Sequence, residues 1–236
     1  MPNQRHRYND TARHFDVSTL PRLLRDHMPA GPLALADIGC GDGPFFAILD
    51  RLGYISPARP VYAVDSDARR LDRVKARFPF ITTLLTWAES VPAIPDYSLD
   101  FVISTMVMEH VTSETAYLDE IRRVLRPGGR AYITTVFKRP WARYFRRRDG
   151  RTVLDRSHLR EYTDLDAFRS LLQGDSRFTM LRALELRPLE FPLLDPILFR
   201  LALVARFPPD AKVLPAARRF TVRIPGYFTL STVVQR

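Results

Sequence analysis

Three glycines at alternate positions, Gly39, Gly41 and Gly43, separate the apolar run LALADIG (33–39) from the helix-patterned PFFAILDRL (44–52). Glycines so spaced cannot sustain a regular element, because each adds backbone freedom and buries no side chain. They fit a tight turn from a strand into a helix, with Pro44 suited to the helix's first turn. A strand with almost no polar residues is buried on both faces, which calls for a parallel sheet covered by helices. The pattern then repeats. PVYAVDSD (60–67), ITTLLTW (81–87), LDFVISTM (99–106) and RAYITTVF (130–137) read as strands, and ARRLDRVKARF (68–78) and TSETAYLDEIRRVL (112–125) as helices. Pro127-Gly128-Gly129 stops the second of these helices. Alternation throughout 33–137 predicts an α/β core, a parallel sheet with helices on both faces.

Around that core the chain reads as one domain, 1–236. Residues 1–32 form an N-terminal cap with a helix over 17–28, and Thr163-x-x-Asp166 resembles a capping box that opens a helix through Leu172. Residues 177–186 and 220–235 read as closing strands. Two inserts remain: 138–157, basic and aromatic, and 187–219, apolar and lid-like. The single cysteine, Cys40, rules out an internal disulfide and fits a reducing compartment. The polar N-terminus offers no signal-peptide core, and no stretch has the length of a membrane span, so a cytoplasmic location is expected. The net charge of +10 is local. Residues 138–151 hold seven Lys/Arg and one Asp, and without them 29 basic residues face 25 acidic ones, or +4. A patch of that kind suits an anionic ligand or surface better than a wholly basic binding protein would.

Ligands of open parallel sheets bind beyond the carboxyl ends of the strands. Asp65 ends the second strand, where a carboxylate accepts hydrogen bonds from a ribose, so the glycine spacing reads as room for a nucleoside. The order Gly39-x-Gly41-x-Gly43 departs from the dinucleotide fingerprint, with Pro44 at its third glycine position. Asp37, just ahead of the loop, would repel a pyrophosphate and suits an amino-acid ammonium. An adenosine joined to a cationic amino acid describes S-adenosyl-L-methionine.

The blocks ADIGCGDG (36–43), VYAVDSD (61–67), TWAESVPAIPDYSLDFVIST (86–105), MEHV (108–111) and LDEIRRVLRPGGRAYITT (118–135) resemble, in order and spacing, the class I S-adenosylmethionine-dependent methyltransferases of small-molecule type. The resemblance implies a Rossmann-like fold, a seven-stranded, mostly parallel sheet with helices on both faces and an antiparallel last strand. It implies that Asp37, Gly39, Cys40, Gly41 and Gly43 frame the methionine portion. Asp65 would bind the ribose hydroxyls and Ser66 would flank the adenosine. Many relatives carry Asp-Ala-Glu where this chain has Trp87-Ala88-Glu89, which puts Trp87 and Ala88 beside the purine without the usual carboxylate. Ser104 to Met106 would line the cofactor.

A methyl on a sulfonium is already activated, so the protein has mainly to position the acceptor. His110 is the candidate base, just past the fourth strand; the competing reading is that Glu109 and His110 cap or orient the next helix. His158, Arg160 and Tyr162 read as rim residues with structural roles. No Cys/His/Asp group has metal-ligand spacing along the chain, so no metal is expected. The basic insert suits an anionic acceptor, and the apolar segment 191–207 suits a lipid-like one, a peripheral membrane contact or plain core packing. The reading is direct methyl transfer to a small molecule, anionic or lipid-like. An RNA methyltransferase and a cofactor-binding protein without transfer activity are the other two readings.

Overall fold

A computed structural model describes residues 19–144, 146–174, 177–178, 182–192 and 221–236. Seven strands form one sheet: β1 (Leu35–Ile38), β2 (Val61–Asp65), β3 (Thr82–Leu85), β4 (Leu99–Thr105), β5 (Leu125–Lys138), β8 (Arg182–Pro192) and β9 (Thr221–Gln235). Their order is β3-β2-β1-β4-β5-β9-β8. The first five pair in parallel, while β9 runs antiparallel to both β5 and β8. The strand order reverses direction at β1, whose neighbours are β2 and β4, and in open α/β sheets ligands bind beyond the strand ends at such a point.

The helices are α1 (Arg22–His27), α2 (Phe46–Arg51), α3 (Ala68–Arg77), α4 (Glu114–Val124) and α5 (Leu165–Gln173). Alternate strand residues feed two separate cores, as a pleated sheet covered on both faces requires. Ala36, Ile38, Val102 and Ile133 pack with Leu118 and Ile121 of α4 and Phe168 of α5. Leu35, Ala63, Phe101 and Ile103 pack with Leu24 of α1, Phe46 and Leu49 of α2 and Val74 of α3. The buried Asp100 of β4 has partners: Ala34 N–H and Arg59 donate to one carboxylate oxygen, and Arg126 pairs with the other.

Several boundaries differ from the sequence reading. Helix α2 starts at Phe46, because Gly43 and Pro44 are still spent on the turn. The cap of α5 is Asp164, which accepts from the N–H groups of Asp166 and Ala167, so Thr163 is displaced by one residue. Closing strand β8 lies later than 177–186, and Arg187–Pro192 belong to it rather than to an insert. Residues 193–219, the rest of the lid-like insert and most of 191–207, lie outside the described residues, as do residues 1–18 of the N-terminal cap and residues 179–181 and 220 of the expected closing strands. The basic insert holds a hairpin, β6 (Arg146–Arg148) and β7 (Arg151–Val153). Among the described residues no helix is long and apolar enough to cross a membrane.

Candidate active site

The glycine loop is pinned to β2 by its backbone: Gly39 and Cys40 N–H both donate to Val64 O, at 2.7 and 2.9 Å. Gly39 has φ +76°, and a Cβ there would meet Val107 Cγ2 at 2.2 Å; a Cβ on Gly43, at φ +69°, would meet the Phe46 ring at 2.5 Å. Both glycines are therefore required, but the protein's own side chains fill the space they leave. Their work is packing: one admits the segment after β4, the other brings α2 against the sheet.

The other residues expected at the site lie beside them. Asp37 is 1% exposed, and neither carboxylate oxygen has a hydrogen-bond partner. Burial, reinforced by the nearby Asp65, pushes its carboxyl up to about 8. Asp65 accepts from Gly41 N–H at 2.8 Å and from Asp67 N–H at 2.9 Å, which joins the loop to the start of α3. Cys40 is buried, and desolvation first, with Asp37 and Asp65 adding, keeps its thiol protonated. Ser66, Leu85, Thr86 and Trp87 line a hollow of about 190 Å³. Trp87 is 70% exposed there and Ala88 is half-buried.

Strand β4 delivers the next group. Ser104 is fully buried and its hydroxyl donates to Ile38 O at 2.7 Å, which ties β4 to β1. Met106 sits at φ +57°, a left-handed conformation costing an L-residue about 1–2 kcal/mol. Its N–H donates to Thr134 O at 2.9 Å. Beyond it, Met108–Val111 form a turn anchored by Arg160, which donates to the carbonyls of Met108, Val111 and Thr112. Tyr162 donates to Glu114. Arg160 and Tyr162 are thus scaffolding, as read from the sequence.

Neither Glu109 nor His110 caps α4: Ser113 does, accepting from Ala116 N–H. His110 is exposed, and its ring lies edge-on to the buried ring of His158, centroids 4.9 Å apart. His158 Nδ1 bonds Glu161 Oε1 at 2.9 Å. Glu109 is fully buried; its Oε2 accepts from Thr135 Oγ1 while Oε1 has no partner, and burial pushes its carboxyl up to about 7. Sequence reasoning gave no site role to Glu109 or Glu161. The available signals were the Glu-His pair in MEHV and the three-residue spacing from His158 to Glu161.

Residues 36–133 match the methyltransferase-domain family. Over these residues the chain carries a methyltransferase domain, and the relatives it resembles there include proteins named as S-adenosylmethionine-dependent methyltransferases. A probable S-adenosylmethionine-dependent methyltransferase of Mycolicibacterium smegmatis is 31% identical over 99 residues, covering 42% of this chain and 36% of that protein. The chain spans about a third of the length of the curated relatives it matches. A SAM-dependent methyltransferase from Methanosarcina mazei superposes with TM-score 0.61 at 16% identity, covering 92% of this chain and 98% of the other. Phosphoethanolamine N-methyltransferase 2 of Haemonchus contortus, in complex with phosphomonomethylethanolamine and S-adenosylhomocysteine, superposes with TM-score 0.62 at 16% identity, over 91% and 51%. At that identity the likeness is one of fold.

The residues present fit S-adenosylmethionine on one observation above all: Asp37 is a buried carboxylate with no hydrogen-bond partner, beside the glycine turn, and a cation would offset that cost. The basic insert is less available than its charge suggests. Lys138 donates to Thr152 O and pairs with Glu161, while Arg148 donates to the carbonyls of Arg156, Ser157 and His158. Tyr144 packs against Tyr227; Phe145 lies outside the described residues. A second hollow, about 230 Å³, is lined by Arg148, Asp149, Arg151, Val153, His158 and Leu159.

Proposed function

We propose that the chain binds S-adenosyl-L-methionine at the Asp37–Asp65 end of the sheet and methylates a small, anionic acceptor held near His110 and His158. The buried, unpartnered Asp37 carries the reading. When bound, the cofactor supplies an activated methyl on a sulfonium. Asp37 provides the counter-charge for a cationic amino-acid moiety. Asp65 holds the loop closed through Gly41 and keeps further lone pairs for ribose hydroxyls. Ser66 and Trp87 border the hollow that suits a purine.

On the acceptor side, Arg151 lines the second hollow and offers an anion its charge, while Arg148 shapes that hollow by holding the loop with His158. A phosphate-bearing acceptor is what the Haemonchus fold neighbour was crystallised with, which supports the anionic class. His110, exposed beside that hollow's His158, is placed to take a proton from an acceptor that must lose one. Fixing the acceptor in line supplies most of the acceleration, of order 7–11 kcal/mol for well-oriented partners. The internal ties of Lys138 and Arg148 disfavour an extended RNA-binding surface.

Titration calorimetry with S-adenosylmethionine and S-adenosylhomocysteine tests the cofactor assignment. Wild type is expected to bind both, with Asp37→Asn weakened at least tenfold. Equal affinity in the variant would remove Asp37 from the role.

A further inference from the structure

We propose that Glu109, His110 and His158 form a binding site for a divalent transition metal of the zinc class. No spacing along the chain suggests it, because the fold joins two distant segments: Leu159 N–H donates to Glu109 O at 2.8 Å and locks the turn after β4 to the loop before α5. The result is a group in which one donor atom from each of the three residues lies within 4.8 Å of the others. Two imidazoles and one carboxylate are a donor set that zinc and its transition-metal neighbours accept, whereas magnesium and calcium prefer oxygen alone.

Two further observations point to a ligand. Glu109 is fully buried, and Thr135 holds its Oε2, yet Oε1 has no partner. A buried carboxylate oxygen without a partner is costly to fold around, and a cation would offset that cost. His158 Nδ1 is bonded to Glu161, whose Oε1 also accepts from Leu154 N–H and whose other oxygen pairs with Lys138. A ring tethered to a carboxylate through Nδ1 has Nε2 left to offer, and carboxylate–histidine–metal arrangements use this same orienting contact. Tetrahedral zinc with bonds of about 2.0–2.1 Å holds its donors ~3.4 Å apart, so side-chain shifts of about an ångström close the group. His110 is the exposed member of the group, beside the buried Glu109 and His158.

Three protein donors leave a fourth position open. His158 also lines the 230 Å³ hollow, so that position is near the space assigned to the acceptor, which would favour acceptors bearing an oxygen donor. With the ion bound His110 is a ligand and no longer a base, and an oxygen acceptor at the open position would lose its proton to solvent instead; the metal proposal itself does not depend on methyl transfer.

The test uses the full chain, tag-free and stripped of metal, titrated with Zn²⁺ by calorimetry and with Co²⁺ by visible absorption. One equivalent is expected, with Co²⁺ giving the intense bands of a four- or five-coordinate ion. His110→Ala, at an exposed position that leaves the fold intact, should weaken binding at least tenfold. Glu161→Gln should weaken it by about 10–100-fold, as loss of an orienting partner does elsewhere. His27→Ala should change nothing. Absence of a stoichiometric site, undiminished affinity in His110→Ala, or loss of binding in His27→Ala would each overturn the proposal. Cofactor titrations on the same preparation keep its failure separate from that of the methyltransferase reading.

Discussion

Asp65 Oδ2 accepts the backbone N–H of Gly41 at 2.8 Å, so the acid at the end of β2 is a structural clasp for the glycine loop before it meets any ligand. Two consequences separate on substitution. Asp65→Ala leaves the Gly41 and Asp67 N–H groups without their acceptor, and bonds to a charged group contribute about 1.5–3 kcal/mol each. Thermal melting should therefore fall for Asp65→Ala by several degrees, and less for Asp65→Asn, which keeps one acceptor oxygen. Cofactor affinity, read by calorimetry, should drop at least tenfold in both. A destabilised Asp65→Ala with unchanged affinity would leave Asp65 a clasp and nothing more.

The pH behaviour follows from Asp37. Its carboxyl is raised to about 8 in the folded chain, by burial first and Asp65 second, against 3.8 for an ordinary aspartate. Between those values the folded state holds a proton that the unfolded state has released. Stability contributed by this group is complete below pH 3.8 and declines as pH rises towards 8, with a slope of up to about 1.4 kcal/mol per pH unit. Asp37→Asn should lack that decline, so denaturant titrations at pH 5.5 and pH 8 should show the variant gaining on wild type at the higher pH. A cationic ligand favours the ionised carboxylate. Cofactor binding at pH 7 should therefore release a proton, visible as a calorimetric heat that differs between phosphate and Tris buffers. Identical heats would contradict it.

Gly39 and Val107 offer a cleaner packing test. Gly39→Ala combines a left-handed backbone with a Cβ 2.2 Å from Val107 Cγ2. The backbone strain is about 1–2 kcal/mol and the overpacking about 1–3 kcal/mol. Val107→Ala in the Gly39→Ala background should recover the second part only. A double-mutant cycle by urea unfolding should yield a coupling of about 1–3 kcal/mol. Additive effects would mean the backbone shifts to relieve the contact.

The core strands of residues 33–137 were legible because burial on both faces leaves near-continuous apolar runs. Pro44 misled by two residues, since a proline tolerated in a first helical turn is equally suited to the turn ahead of it. Thr163 and Asp164 are both capping residues, and which one accepts from the helix depends on backbone geometry that composition does not carry. The β6–β7 hairpin was not legible at all: arginine-rich strands have no alternating apolar signal. Asp37 and Asp65 stood out beside their glycines. The meeting of Glu109 with His158 did not, because a contact between distant segments leaves no local pattern.

Within the basic insert, Arg148 and Arg151 line the same hollow but are placed differently, and their substitutions should diverge. Arg148 spans three successive carbonyls, of Arg156, Ser157 and His158, from a side chain about 29% exposed. Arg148→Ala should loosen that loop, speeding amide exchange across 155–161 and lowering global stability by about 1–3 kcal/mol, as for a lost charged donor. Arg151 is exposed, so Arg151→Ala should leave exchange and melting unchanged. If the hollow seats an anion, Arg151→Ala should weaken inorganic phosphate binding, read by NMR shifts of the His158 ring, while cofactor affinity stays at the wild-type value. Phosphate shifts that persist in Arg151→Ala, or fail to occur in wild type, would place the acceptor elsewhere.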